Sequence, residues 1–127
     1  RYVMVDWKRC NPSPRRAGQP KELLGPDQRA FGNEKGTGPC SDLANTSFWH
    51  YVVQQRLYTR ILEQHYDIKV DSSWLVQLHP SLSEAHCVEC PRIDDIIDEI
   101  MERRYEEVRA KRAKTSKTSK DEGGDAI

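Results

Sequence analysis

The chain has 127 residues, of which 31% are charged and 36% are apolar, so it has the size of one small domain with a modest core. Twenty basic and twenty acidic residues cancel, which excludes a global basic field, and any nucleic-acid binding must therefore be local. No stretch reaches the ~20 apolar residues of a membrane span and no signal peptide opens the chain, so we expect a soluble intracellular protein without a membrane partner.

The first predicted element is a strand over residues 2–10. Arg1 leads directly into this apolar run, and we expect the chain to be a piece of a longer protein. Residues 2–5 are apolar at every position, which is typical of a central strand covered on both sides. Asp6 and Lys8 follow, and because side chains alternate along a strand, both should point from one face, near its carboxyl end, into a common cleft.

A long loop is predicted over residues 11–44, which are rich in Pro, Gly and charge and show no sustained period. Loops beyond about 15 residues in a compact domain are usually functional or disordered, so this one is either a substrate-side flap or a solvated insertion. A helix should follow, capped by Asn45 or Thr46 and running to about His65. Its predicted apolar ridge consists of Trp49, Val53, Leu57 and Ile61.

The second half of the sequence predicts two more strands and a second helix. Residues 72–79 form a strand pattern that Pro80 stops, and residues 85–90 form a shorter one. Residues 92–114 are predicted to be helical, with acids near the amino end and bases near the carboxyl end that complement the helix dipole. We therefore expect an α/β core over residues 1–113 and a disordered polar tail over residues 114–127.

The sharpest chemical feature is the pair Asp6 and Lys8, an acid and a base on one face of a strand. Burying both charges is costly unless they pair, meet water or bind a metal. In phosphodiester hydrolysis a carboxylate can hold Mg²⁺ while a lysine orients water and stabilises charge on the phosphate. The alternative is a simple ion pair at the rim of the sheet.

Gln54 and Tyr58 form a second feature, because they lie one turn apart on the predicted helix, beside its ridge. A polar pair in that place can face a cleft between the helix and the sheet. The alternative is a tyrosine at the margin of the core and a solvated glutamine.

A strand reading V-x-V-D-W-K, a variable loop and a helix with Q-x-x-x-Y together resemble the later motifs of RecB-type nucleases of the PD-(D/E)xK superfamily. The stretch over residues 51–80 is similar to helicase-associated or viral members, in which a helix Y-x-x-Q-x-x-x-Y-x-x-x-L-E-x-x-Y precedes a strand ending in L-H-P. The resemblance covers residues 2–104 apart from the loop. The matching residues are Tyr51, Gln54, Tyr58, Leu62, Glu63, Tyr66, Leu78, His79 and Pro80.

The resemblance implies a restriction-endonuclease-like three-layer core, of which this chain supplies the later strands and two helices. It implies hydrolysis of DNA with Mg²⁺ or Mn²⁺, and a helicase domain or subunit as a further partner. By analogy Asp6 is a metal ligand and Lys8 the catalytic lysine, while Gln54 and Tyr58 position metal-bound water or contact the DNA phosphate.

The superfamily also needs a further acid on the preceding strand, which the sequence does not contain, so we expect this chain to cleave weakly or not at all by itself. One alternative is a non-catalytic module of nuclease-like fold that binds DNA or a helicase. Another is an unrelated α/β domain in which the D-x-K spacing of Asp6 and Lys8 is accidental.

The remaining candidates are four cysteines, one histidine and a basic run. Cys87 and Cys90 have the C-x-x-C spacing of zinc and iron–sulfur sites, but on a strand over residues 85–90 they would point to opposite faces, and free thiols are then expected, as for Cys10 and Cys40. His79 is interpreted as a structural hydrogen-bonding residue. The run KRAKTSKTSK is either a nuclear-import or DNA-backbone patch or a solvated helix end.

Overall fold

The computed structural model describes residues 1–12, 23–28 and 34–123, with the side chains of the last helix described to residue 117. This part of the chain is a mixed α/β structure with a three-stranded sheet and two α-helices. Its elements in chain order are β1 (Tyr2–Lys8), a 3-10 turn (Gly38–Cys40), α1 (Ser47–Tyr66), β2 (Val70–Gln77), β3 (His86–Glu89) and α2 (Asp94–Gly123). The chain divides into two compact units, Arg1–Ile93 and Asp94–Ile127.

The sheet has the order β1-β2-β3. β1 and β2 are parallel, as expected for strands joined through a helix, and Lys8 lies opposite Gln77. β3 is antiparallel to β2 and places His86 opposite the same Gln77. The carboxyl ends of the two parallel strands therefore lie side by side, together with the start of β3. We call this end of the sheet its carboxyl edge.

The prediction that β1 is a central strand covered on both faces is wrong for the described residues. β1 is the outer strand of the sheet. Its side chains that face away from α1 are exposed, and Trp7 is 65% exposed. The apolar run predicted a covered position for Tyr2, Val3 and Val5, but these three side chains are exposed. Met4 points to the other face, where the hydroxyl of Thr59 on α1 lies 3.3 Å from its sulfur.

The core of the first unit forms where α1 packs on β2. Leu24, Phe48, Val52, Leu75 and Cys90 make up its buried cluster. The ridge predicted for α1 is therefore wrong by one residue, because the face that α1 buries consists of Phe48, Val52, Gln55, Arg56 and Thr59. Three of these five are polar, so a search for apolar periodicity selects the neighbouring, more apolar line.

The predicted start of α1 is confirmed, and its amino end is closed by two side chains. Thr46 is the N-cap and accepts a hydrogen bond from the backbone N–H of Trp49 at 3.3 Å. The side-chain oxygen of Gln28 accepts from the backbone N–H of Phe48 at 2.9 Å. This second bond ties the described segment 23–28 to the helix, which the sequence pattern did not predict.

The second unit differs from the prediction in its extent. α2 runs to Gly123, so the helix continues into the stretch that was expected to be a disordered tail from residue 114. Residues 124–127 of that tail, and residues 13–22 and 29–33 of the predicted loop, lie outside the described part of the chain. None of the described helices is both long enough and apolar enough to cross a membrane.

Candidate active site

Asp6 and Lys8 share the face of β1 that points towards α1. The Nζ atom of Lys8 lies 3.0 Å from Oδ2 of Asp6, and the two side chains are 21% and 27% exposed respectively. The predicted common face is confirmed. A pair that is about three-quarters withdrawn from water pays more desolvation than a surface ion pair, so its geometry needs support from neighbouring groups.

Tyr51 of α1 supplies part of that support. The Nζ atom of Lys8 lies 4.5 Å from the centre of the Tyr51 ring, within the range of a cation–π interaction. The phenol oxygen of Tyr51 is also 3.6 Å from the sulfur of Cys10, which donates to it. Lys8 is thus held between a carboxylate and an aromatic face.

The pKa of Tyr51 is raised above its ordinary value of 10.0. The main cause is the hydrogen bond with Cys10, followed by burial; the charge interactions with Cys10 and Asp6 act in the same direction. Sequence reasoning included Tyr51 in a motif but gave it no role, since nothing in the local pattern signals a contact with a strand so distant in the sequence.

Gln54 and Tyr58 contact each other. Nε2 of Gln54 donates to the phenol oxygen of Tyr58 at 3.2 Å, and both residues are exposed. In the described part of the chain, no hydrogen bond or ion pair joins either of them to Asp6 or Lys8. Their predicted role beside that pair stays a prediction.

The buried glutamine of α1 is instead Gln55, which is 1% exposed. Its Nε2 atom has no hydrogen-bond partner among the described residues. The sequence search missed this position because a glutamine on a helix is ordinarily solvated.

Gln77 holds two segments of the chain next to the site. This buried side chain donates from Nε2 to the carbonyl of Cys10 at 3.1 Å and accepts at Oε1 from the N–H of Leu24 at 2.8 Å. The carbonyl of Leu24 lies 2.7 Å from Nε2 of His86. The stretch that follows Lys8 and the segment 23–28 are therefore both tied to the carboxyl edge of the sheet.

Arg56 ties the other end of β3 to α1. This buried guanidinium donates from Nε to the carbonyl of Pro91 at 3.0 Å and from a terminal nitrogen to the carbonyl of Cys90. It makes two backbone contacts at once, a geometry that a lysine ammonium cannot reproduce as a fixed fork. These contacts hold the segment after β3 against α1.

The cysteines and His79 behave as the strand geometry predicts. Cys87 is exposed and Cys90 is buried in the core, so the two thiols face opposite sides. Burial raises the pKa of the Cys90 thiol, against smaller opposing effects of Ser73 and Arg56. His79 bonds locally through Nδ1, which lies 2.8 Å from the hydroxyl of Ser81 and accepts from its N–H.

A complete metal site is not assembled by the described residues. No group of three or more His, Cys, Asp or Glu side chains among them is placed to hold an ion. Asp6 is one carboxylate, and its nearest charged neighbour is the ammonium of Lys8. The donor set of the described chain therefore does not fit Mg²⁺ or Mn²⁺ without further ligands.

Comparisons of the chain with protein-family models, with curated proteins and with solved structures give no significant match. The nuclease family stays a prediction that depends on the motifs and on the geometry of Asp6 and Lys8.

Proposed function

We propose that the chain forms the C-terminal part of the core of a DNA nuclease of the PD-(D/E)xK type, with a restriction-endonuclease-like fold and Mg²⁺ or Mn²⁺ as its cofactor. The observation that supports this most is the placement of Asp6 and Lys8, paired at 3.0 Å and largely withdrawn from water on the helix-facing side of the sheet. An acid and a base in that place suit phosphate chemistry, because a carboxylate can hold a metal ion and a lysine can stabilise charge on the phosphate.

Asp6 would contribute one ligand, and the others would lie outside the described residues. Mg²⁺ is usually held by one or two carboxylates together with water and substrate phosphates. Since the described residues do not complete such a set, the chain alone should bind the ion weakly.

Lys8 would act on the phosphate. Its ammonium is directed by the Asp6 carboxylate and the Tyr51 ring, and a positioned cation stabilises the charge that develops on a phosphate under attack. DNA is the proposed partner of this face, and a helicase domain or subunit the proposed partner of the wider protein. Gln54 and Tyr58 would contact the DNA phosphate from the exposed side of α1.

The test is DNA cleavage in the longest natural protein that contains this chain. Asp6→Ala and Lys8→Ala should each reduce Mg²⁺-dependent cleavage by on the order of 10²–10³ or more, because a ligand or a positioned charge is lost. The matched controls are Asp71→Ala and Lys69→Ala, exposed residues near the amino end of β2, which should cleave normally. Full activity of the Asp6 and Lys8 variants would show that the pair is structural.

A second candidate is a non-catalytic module that binds DNA or a helicase. It is favoured by the way the polar side chains satisfy one another, Asp6 with Lys8 and Gln54 with Tyr58, without a third acidic group nearby among the described residues. Under this hypothesis the longest natural protein binds DNA, and Mg²⁺ or Mn²⁺ adds no cleavage.

A further inference from the structure

A cavity of about 340 Å³ lies beside the amino end of α1, within the first unit. It opens between the segment 35–45 and the first two turns of the helix. Its volume is at the lower end of the ~300–1,000 Å³ range of small-molecule sites. Its lining is mostly apolar, with Leu43, Trp49 and Val53 as walls and Lys35, Asn45 and His50 among the polar groups.

The loop wall of this cavity is tightly closed. The N–H of Gly36 donates to the carbonyl of Leu43 at 2.9 Å, and the N–H of Asn45 donates to the carbonyl of Glu34 at 2.9 Å. A Cβ atom at Gly36 would lie 2.5 Å from the carbonyl oxygen of Cys40, so the two sides of the loop approach as closely as glycine allows. The cavity is therefore preformed, as ligand sites usually are.

Trp49 gives this cavity a fixed aromatic wall. Its ring meets that of Phe48 edge to face, with the centroids 5.0 Å apart and the planes at 68°. Phe48 is fully buried, so the indole is held by the core and loses little freedom when a flat ring stacks on it. An indole in such a position is the kind of surface on which nucleic-acid bases stack.

The polar groups at the cavity match the rest of a nucleotide. Lys35 is exposed and makes no ion pair within the described part of the chain, so its ammonium can meet a phosphate. Asn45 is held in one orientation, because Oδ1 lies 2.7 Å from Nε2 of His50 and Nδ2 donates to Glu34 at 3.2 Å. Hydrogen-bonding groups thus stand at fixed positions beside an apolar slot and a cation.

We infer that this cavity binds one unpaired nucleotide of a DNA strand, with the base against Trp49 and the phosphate near Lys35. The inference rests on the proposed function, since it takes DNA as the partner. It adds a place for a single-stranded part of the substrate on α1, a helix that also carries Tyr51 next to Lys8.

The experiment measures binding by the full chain in the presence of a chelator, so that cleavage plays no part. The probes are a labelled single-stranded oligonucleotide and an oligonucleotide of the same length and charge that lacks bases. The base-containing strand should bind about five- to a hundredfold more tightly, and Trp49→Leu should remove that difference. Trp7→Leu is the matched control, because it removes an exposed indole on the outer face of β1.

Lys35→Gln is the second variant and keeps the inference testable if Trp49→Leu fails to fold. It should weaken both strands equally, because it removes a phosphate contact, whereas Lys69→Gln at an exposed site should change neither. Equal binding of the two strands by the unchanged chain would overturn the inference. So would a free mononucleotide that competes as well as the strand, since the cavity would then serve a soluble nucleotide.

The two proposals fail separately. If the Asp6→Ala and Lys8→Ala variants cleave DNA normally in the Mg²⁺ assay, the proposed nuclease function is wrong, but binding that depends on Trp49 is unaffected. Binding that ignores Trp49 and Lys35 would remove the nucleotide pocket and leave the cleavage assay unaffected.

Discussion

At the scale of single residues, the site depends on how Lys8 is held. A lysine ammonium on a flexible stem has no preferred direction, so the Asp6 carboxylate and the Tyr51 ring together define where its charge lies. Cys10 in turn holds the Tyr51 hydroxyl. The chain thus holds in place the lysine ammonium that the proposed chemistry uses.

The raised pKa of Tyr51 gives a testable titration. Tyr51→Phe should remove the tyrosine that ionises late, and Cys10→Ala should lower the pKa of Tyr51, because the bond with Cys10 is the largest cause of its rise. The absorbance of tyrosinate, followed against pH in the folded chain, measures both. A Cys10→Ala variant with an unchanged tyrosine titration would contradict the assignment.

The same shift has a defined effect on stability. A phenol whose folded pKa lies above its unfolded value stabilises the fold fully below the unfolded pKa, and this stabilisation is lost as pH rises through the folded pKa. The free energy of unfolding should therefore fall more steeply above about pH 10 in the unchanged chain than in Tyr51→Phe. Urea unfolding at a series of alkaline pH values compares the two chains.

At the scale of secondary structure, the carboxyl edge of the sheet is held by one side chain. Gln77→Leu should destabilise the chain, because the N–H of Leu24 and the carbonyl of Cys10 lose their partner in a buried place. The expected cost is about 1–3 kcal/mol for each group left unsatisfied. Gln64→Leu is the matched control on the exposed side of α1, where the change should be within about 0.5 kcal/mol.

Urea unfolding measures the difference between these variants, and hydrogen exchange at the Leu24 amide reports it locally. Faster exchange in Gln77→Leu is expected, since that amide donates to the replaced side chain. Equal free energies of unfolding for the two variants, with a protected Leu24 amide, would contradict this prediction. Water would then have taken the place of the Gln77 amide, and the carboxyl edge of the sheet would not depend on it.

The existence and type of the elements followed from the sequence, since periodicity and capping are local signals. The limits of the three strands and of α1 lie within two residues of the predicted ones, and Thr46 was one of the two predicted caps. The buried face of α1 was missed because Arg56 and Thr59 occupy core positions by satisfying their hydrogen bonds. Partners such as the Pro91 carbonyl come from distant parts of the chain, and apolar periodicity carries no information about them.

The position of β1 could not be predicted for a related reason. An apolar run shows that a strand is suited to a covered position, while its neighbours depend on pairing across the whole sheet. Asp6 and Lys8 were placed together because period-two geometry needs no partner. The contact of Lys8 with Tyr51, which needs the parallel crossover through α1, was not foreseen.

At the scale of the whole molecule, charge is balanced in total and segregated locally. The formal net charge is zero, so long-range steering towards DNA is weak and binding depends on a few cations in fixed places. Two places compete for this role. One is the cavity with Lys35 in the first unit, and the other is the basic carboxyl half of α2 in the second.

The salt dependence of DNA binding distinguishes these two places. Each phosphate contact on a single strand contributes about −0.7 to the slope of log affinity against log salt. If the cavity is the main contact, the slope should correspond to about one phosphate, and Lys35→Gln should remove most of it. A double change of Lys111→Gln and Arg112→Gln, both exposed on α2, should leave the slope nearly unchanged. A steep slope that collapses in the double variant would instead make α2 the DNA-binding surface, because a run of helix cations neutralises several phosphates at once.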